Sequence, residues 1–313
     1  MPAEATFYSS KLAPFRLLIV WLFYLWMRTI VLLPFSWQLG AAKWAGRLSR
    51  GLLAKRRRVV DRNLEACFPT LGAEQREALA VAHFEALGAS IVEMAMGWFG
   101  SADKIRRLVR VEGRQHLEQA LQKGSGVILY SAHFTSFEIF FPVLAPMCTR
   151  LCGMYKVQRN PAMTKIMTRG RLRNFDRLFD KDSVREMLRE LAANSVVWYA
   201  TDQSYSHKGS ALIPFFNVPA MTNTSITRIA KISGATVLPY YCRRLADDSG
   251  YVMTIGAPLS GFPSEDAEND TRRFTAQLEN YILTCPEQYW WVHQRFKGRP
   301  APLPDLYSTS AHE

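Results

Sequence analysis

A long apolar stretch lies near the start of the chain. Residues 17–35 read LLIVWLFYLWMRTIVLLPF, and Arg28, Thr29 and Pro34 interrupt it. A helix that crosses a bilayer needs about 20 mostly apolar residues, so this stretch is just long enough to span one or to lie deep in its interface. Arg28 is in the second half, from which its long side chain can reach the head groups. We therefore predict that residues 1–37 form a membrane anchor.

Beyond the anchor, the pattern of apolar positions changes from helical to strand-like near residue 126. Apolar residues at helical spacing occupy 74–88 and 90–99, and a short helix is expected from 101 to 107. Short apolar runs typical of buried strands then alternate with helical patterns. The strand runs are 127–130, 151–157, 196–200, 236–242 and 251–255, and the helical patterns between them are 183–193, 223–233 and 271–284.

This alternation predicts an α/β fold with a mixed central sheet flanked by helices and an N-terminal membrane-anchoring helix. The body would extend from residue 38 to residue 300, as one catalytic domain. Residues 301–313 are short, polar and rich in proline, so we expect a loose C-terminal tail.

The charge balance points to an anionic partner. The 313 residues carry a formal net charge of +12, and the mean hydropathy of -0.09 excludes a protein with many membrane spans. Nucleic acid and an acidic lipid surface both fit this charge. The basic residues crowd behind the apolar stretch, which favours lipid over nucleic acid as the partner and places the body in the cytoplasm. They are Lys43, Arg47, Arg50, Lys55, Arg56, Arg57, Arg58 and Arg62, against Lys11 and Arg16 before the stretch.

The cysteines give no sign of a disulfide framework or of a zinc site. Five are present, an odd number, and none forms a CxxC pair. Scattered cysteines of this kind are typical of reduced thiols in a cytosolic compartment. We expect no metal and no organic cofactor.

A histidine and a carboxylate follow the first predicted strand. His133 comes directly after the run 127–130, and Glu138 is five residues further on. On one regular helix the two side chains would point about 140° apart, so they can meet only if His133 lies in the loop and Glu138 on the next helix, with Thr135 or Ser136 as its N-cap. The carboxylate would then hold one imidazole nitrogen while the other removes a proton from a hydroxyl.

Several motifs together resemble the lipid A late acyltransferases, above all the lauroyl branch. They include AHFTSFE at 132–138, GMYKVQRNP at 153–161, RGRLRN at 169–174, VWYATDQSY at 197–205, PFFNVPAMTNTS at 214–225 and PEQYWWVHQRF at 286–296. The wider superfamily carries His-x4-Asp or His-x4-Glu. The resemblance covers most of the chain in order.

The resemblance implies a reaction and its participants. A fatty acyl chain, lauroyl or similar, would pass from acyl carrier protein to a hydroxyl on a hydroxyacyl chain of a Kdo2-lipid IVA type precursor, in lipopolysaccharide or lipooligosaccharide biosynthesis. His133 looks like the general base and Glu138 its partner. Arg171 matches an arginine that serves the active site, and Arg169 would share its work on a phosphate or the reacting carbonyl.

Other residues are predicted to bind substrate. Asp202 and Gln203 follow the strand run 196–200, so they should emerge at the same sheet edge as His133, although Asp202 could equally cap its loop. Asn223 opens a helix whose free N–H groups could receive an anionic head group. Lys156 stands where close relatives usually have arginine. Its ammonium group is a compact point charge, whereas a guanidinium group presents several N–H donors in one plane.

Other functions remain open at this stage. An acyl-CoA-dependent glycolipid or lysophospholipid acyltransferase would carry the same His133 and Glu138. A membrane-bound scaffold with a decayed site would need neither residue, and a nucleic-acid-binding protein would be expected to show a recognisable reading motif. His293, beside two tryptophans, is interpreted as a packing residue.

Overall fold

The computed structural model describes residues 14–158 and 160–308, so the first 13 residues of the predicted anchor and residues 309–313 of the predicted tail lie outside it. Its helices are α1 (Pro14–Ile30), α2 (Phe35–Leu52), α3 (Ala54–Cys67), α4 (Ala73–Phe99), α5 (Ala102–Leu108), α6 (Arg114–Gln122), α7 (Phe141–Leu144), α8 (Pro161–Arg171), α9 (Val184–Ala192), α10 (Ser225–Ser233) and α11 (Ala267–Ile282). Its strands are β1 (Val109–Glu112), β2 (Val127–Ser131), β3 (Leu151–Tyr155), β4 (Arg177–Asp180), β5 (Val196–Ala200), β6 (Ser210–Phe215), β7 (Val218–Asn223), β8 (Thr236–Arg244) and β9 (Tyr251–Ile255).

Seven strands form one mixed sheet in the order β1-β9-β8-β2-β5-β3-β4. Neighbouring strands are parallel except for β8 and β9, which run antiparallel. Strands β6 and β7 form a separate antiparallel hairpin. The predicted α/β class with a mixed central sheet flanked by helices is confirmed.

Strand β2 lies at the centre of the sheet and is buried on both faces. Its side chains alternate between two cores: Val127 and Leu129 join one, and Ile128 and Tyr130 join the other. A short apolar run without polar alternation is what a parallel strand covered by helices on both sides requires. The five strand runs in the sequence correspond to β2, β3, β5, β8 and β9.

The N-terminal apolar stretch folds as two helices rather than one. Helix α1 ends at Ile30 and α2 begins at Phe35, directly after Pro34. The described part of α1 has 17 residues, about 26 Å, which is less than the roughly 30 Å of a hydrocarbon core. In the described part of the chain, the helix that is long and apolar enough to cross a membrane is α4, and half of its apolar window is buried inside the protein.

One side of α1 packs on the body while the other is exposed. Met27 is fully buried against Ala95 and Trp98 of α4, with Ile166 and Met167 of α8 beside it. Large apolar side chains remain exposed along α1, α2 and the segments that follow them: Leu18, Ile19, Trp21, Leu22, Leu25, Trp26, Leu32, Leu33, Trp37, Trp44, Leu48, Leu52 and Leu53. A soluble surface rarely carries so large an apolar patch.

The predicted tail is packed on the body as far as Tyr307. The Tyr307 hydroxyl donates to Asn63 Oδ1 at 2.6 Å and accepts the Phe296 N–H at 3.0 Å. Leu306 and Tyr307 also contact the apolar cluster around Phe68. The expectation of a loose tail was therefore wrong for this part. Tyr307 anchors the tail through its two hydrogen bonds and its contacts with the apolar cluster.

Helices α2 and α4 cross so closely that glycine is required at the contact. A Cβ atom on Gly46 would lie 2.2 Å from the Phe84 carbonyl oxygen, and one on Gly88 would lie 2.0 Å from that of Ala42. Both obstacles are backbone atoms, which cannot rotate away. The contact joins the exposed apolar helix α2 to the body.

We expect Gly46→Ala to destabilise the protein by about 1–3 kcal/mol, because the two helices must separate to accept the methyl group. Gly40→Ala on the same helix is the matched control, since nothing lies within 4 Å of its Cβ position. There, replacing glycine should stabilise the helix by up to about 1 kcal/mol. Urea unfolding in detergent measures both, and equal effects at the two positions would contradict the close contact.

Candidate active site

The register of two central strands brings His133 and Asp202 together. Strands β2 and β5 are parallel neighbours, and Ser131 is paired with Ala200. His133 and Asp202 each follow two residues later, so both leave the sheet at the same edge and the same height. The prediction that Asp202 emerges beside His133 is confirmed.

Asp202 binds His133 through both of its carboxylate oxygens. Oδ1 accepts from the imidazole Nδ1 at 2.6 Å, and Oδ2 accepts the His133 backbone N–H at 3.0 Å. Burial acts to raise the pKa of the Asp202 carboxyl, but the neighbouring His133 outweighs it and lowers the pKa to about 2. The carboxylate is therefore ionised at neutral pH, and it fixes the imidazole proton on Nδ1.

This geometry leaves the other imidazole nitrogen available. The His133 side chain keeps 25% of its surface exposed, whereas that of Asp202 keeps 3%. With its proton on Nδ1, the ring presents the lone pair of Nε2, which is the atom that a general base uses. Phe137 and Trp198 hold the ring edge-on, with centroids 6.0 Å away in both cases.

Glu138 does not hold the imidazole, contrary to the sequence-based expectation. It lies in a 3-10 turn (Phe137–Phe140), not on a regular helix, and Ser136 at the N-cap position makes no side-chain capping bond. The hydroxyl oxygens of Thr135 and Ser136 are buried without a hydrogen-bond partner in the described part of the chain. The chain therefore forms a turn in place of the regular helix that the spacing assumed. Asp202, and not Glu138, is the carboxylate that holds the imidazole.

Glu138 instead pairs with Arg171, the last residue of α8. Its Oε1 accepts from Arg171 Nε at 2.8 Å and from Nη2 at 2.5 Å, and its Oε2 accepts from Trp98 Nε1 at 2.9 Å. The side chains of Glu138 and Arg171 are 5% and 12% exposed. Two N–H groups of Arg171 thus converge on one carboxylate oxygen, a charge-assisted contact that orients the guanidinium as well as neutralising it.

Two glycines let the neighbouring helices approach this ion pair. A Cβ on Gly97 would lie 2.3 Å from the Glu138 carbonyl oxygen, and one on Gly170 would lie 2.4 Å from the Trp98 ring. The Arg171 guanidinium also lies 5.6 Å from the centre of the Phe137 ring, whose edge-on neighbour is His133. Phe137 is thus the side chain between the imidazole and the guanidinium.

The remaining predicted residues lie around this centre with fewer contacts. Arg169 is exposed on the last turn of α8, and Lys156 is exposed just after β3. Gln203 is half-buried beside Asp202. The amide oxygen of Asn223 accepts the Ser225 N–H at 2.8 Å at the start of α10, so it is already engaged.

The segment 286–297 contains one of the family motifs, but sequence reasoning did not place it at the site. The backbone carbonyl of Gln288 accepts the Thr135 N–H at 2.8 Å, and the backbone N–H of Trp290 donates to the His133 carbonyl at 3.0 Å. Trp98 was missed as well, because it comes from α4, 40 residues before Glu138. Contacts between residues so far apart in the chain leave no local pattern in the sequence.

Comparisons with known proteins identify the family of the chain. The family model described as bacterial lipid A biosynthesis acyltransferase matches residues 5–298. The lipid A biosynthesis palmitoleoyltransferase of Escherichia coli K12 is 34% identical over 264 residues, which cover 84% of this chain and 85% of that relative. The lipid A biosynthesis lauroyltransferase of the same strain is 32% identical and covers 90% and 92%.

A solved structure, the 1-acyl-sn-glycerophosphate acyltransferase of Thermotoga maritima, aligns with 77% of this chain and 96% of its own at 13% identity, with a TM-score of 0.37. The family match defines an acyltransferase enzyme. The chain belongs to the bacterial lipid A biosynthesis acyltransferase family, and a lipid A precursor is the class of acceptor that this family implies.

We expect Arg171→Met to destabilise the protein by about 3–5 kcal/mol, because it leaves the buried Glu138 carboxylate without its cation. The double variant Glu138→Gln with Arg171→Met should recover most of that loss. Arg169→Met is the matched control on the exposed side of the same helix turn. Urea unfolding decides: a loss in Arg171→Met no larger than in Arg169→Met would show that the pair contributes nothing to stability.

Proposed function

We propose that this enzyme moves a fatty acyl chain from an acyl carrier protein thioester to a hydroxyl on a hydroxyacyl chain of a lipid A precursor, with His133 as general base. The observation that carries the proposal is the double contact of Asp202 with His133, which puts the imidazole proton on Nδ1 while the side chain stays 25% exposed. The family supplies the class of acceptor. The donor follows from the resemblance seen in the sequence.

The proposed chemistry needs one proton acceptor and one cation. His133 Nε2 removes the proton of the acceptor hydroxyl as its oxygen attacks the thioester carbonyl, the C–S bond breaks, and the proton passes from the imidazolium to the departing thiolate. The Asp202 carboxylate stabilises the imidazolium in between. The products are the new ester and the free thiol of the donor, so the reaction balances.

Arg171 is the proposed cation, and Glu138 is the residue that aims it. Two of the three guanidinium nitrogens bind Glu138, which leaves Nη1 for the developing oxyanion or for a phosphate of the acceptor. In this proposal Glu138 keeps an essential role, although it does not touch the imidazole. Arg169, Lys156 and Gln203 flank the opening and supply weaker contacts to the acceptor.

The same proposal places the protein on the inner membrane with its body in the cytoplasm. The exposed apolar side chains of α1 and α2 end at Leu52 and Leu53, and the exposed basic run from Lys55 to Arg58 begins two residues later. Apolar side chains followed by cations match the acyl region and the anionic head groups of a membrane surface. Part of the net charge of +12 would also attract acyl carrier protein, which is acidic as a class.

We expect His133→Ala to lower kcat by about 10²–10⁴-fold and Asp202→Asn to lower it by about 10²-fold or more, because the base and its orienting carboxylate are lost. Asp247→Asn, at an exposed carboxylate, is the control. The assay pairs a tetra-acylated lipid A precursor with a panel of acyl carrier protein thioesters and with acyl-CoA, and mass spectrometry identifies the product. Undiminished turnover in His133→Ala would refute the base, and transfer from acyl-CoA alone would refute the donor.

We expect replacement of Trp44, Leu48 and Leu52 by serine to weaken flotation with phosphatidylglycerol-containing vesicles, because each serine removes apolar contact with the acyl region. Ile232→Ser with Leu283→Ser is the matched control, since these apolar side chains are as exposed but lie on α10 and after α11. Equal flotation of both variants would contradict a membrane-facing α2.

A further inference from the structure

The segment 286–297 contacts both loops that carry the proposed catalytic pair. It binds the His133 loop through the Thr135 N–H and the His133 carbonyl. It binds the Asp202 loop at Ser204, whose backbone N–H donates to His293 Nε2 at 3.1 Å and whose hydroxyl donates to the Lys297 carbonyl at 2.5 Å. The relative position of the two loops therefore depends on this segment.

The His293 ring contacts the Asp202 loop directly, through the hydrogen bond that its Nε2 accepts from the Ser204 N–H. Its own backbone is fixed, because its carbonyl accepts Asn63 Nδ2 at 2.8 Å and its N–H donates to the Trp290 carbonyl at 3.2 Å. A side chain held in this way can fix the loop that it touches.

We propose that His293 is a positioning residue for the pair His133 and Asp202: its Nε2 accepts the Ser204 N–H and so fixes the turn that presents Asp202 to the imidazole. The inference rests on the proposed function, in which that pair is catalytic. Asp202 must offer one oxygen to Nδ1 and the other to the His133 N–H, and a turn free to rotate would lose one of these contacts.

The chemistry of the contact requires an uncharged ring. A protonated imidazole has two N–H donors and cannot accept from a backbone amide. Burial is the main cause that lowers the pKa of His293 to about 4. The nearby titratable or charged groups are Asp202, which opposes this shift, and His133, Arg295 and Arg56, which act in the same direction as burial. His293 is therefore a neutral acceptor at pH 7, with its proton on Nδ1.

The test compares side chains at position 293 that place a hydrogen-bond acceptor at different distances from the backbone. Glutamine at position 293 can place an oxygen near the Nε2 position, whereas the shorter asparagine reaches only the Nδ1 position. We expect His293→Asn and His293→Leu to lower kcat by about 10–100-fold with KM for donor and acceptor unchanged, the size usual for residues that orient a catalytic group. His293→Gln should stay within about threefold of the wild type.

The pH profile adds a readout that packing alone would not move. In His293→Asn the pH dependence of kcat should change, because Asp202 keeps only part of its contact with the His133 ring. His83→Leu is the matched control: His83 is also buried, and its Nδ1 binds the Glu287 carbonyl on the same segment without touching the Asp202 loop. That variant should lose stability and keep the wild-type profile.

Equal losses in His293→Asn and His293→Gln, or a wild-type kcat and pH profile in His293→Asn, would overturn the role of His293. Ser204→Ala removes the bond to Lys297 but keeps the N–H, so a loss there as large as in His293→Asn would also overturn it. His133→Ala is run in parallel. If it keeps activity, the proposed function fails; if it is inactive while the His293 variants are normal, only this inference fails.

Discussion

The pairing of β2 with β5 is the constraint on which the site depends. Both strands are parallel and in register at Ser131 and Ala200, so the residues two positions further along each chain must leave the sheet side by side. One of these is a histidine and the other an aspartate. A shift of one residue in either strand would turn one side chain to the opposite face and separate the two. The buried apolar runs that maintain this register therefore also determine the geometry of the site.

The sequence allowed the sheet edge to be predicted but not the partner of the histidine. Asp202 could be placed beside His133 because both follow short apolar runs. Glu138 was chosen as the partner because it is close in sequence, and this choice assumed a regular helix that the structure replaces with a 3-10 turn. The local pattern does not distinguish these turns, because the difference arises from contacts with Trp98 and Arg171 that are far away in the chain.

Elements without a strong apolar pattern were also missed. Strand β1 reads VRVE, and the hairpin of β6 and β7 contains Pro214 and Pro219, which stand opposite each other. Proline removes a backbone donor, so a strand that contains it is not recognised from alternation alone. The long helices α4 and α11 and the central strands were predicted because their burial imposes a period on the sequence.

The two carboxylates of the site have separate partners. Asp202 is buried against a base, and Glu138 is buried against a cation, so neither has to serve both. If Glu138 held the imidazole, Arg171 would lose the carboxylate oxygen that binds two of its nitrogens and orients the guanidinium.

In the proposed function, the position of α1 connects the site to the membrane. Met27 of α1 packs on Trp98, and the Trp98 ring donates to Glu138, which in turn aims Arg171. The opposite side of α1 carries exposed apolar residues. A helix that contacts lipid on one side and the support of the catalytic cation on the other would fix the depth of the site relative to the bilayer. The acyl chains of an acceptor could then remain in an apolar environment while the hydroxyl meets His133.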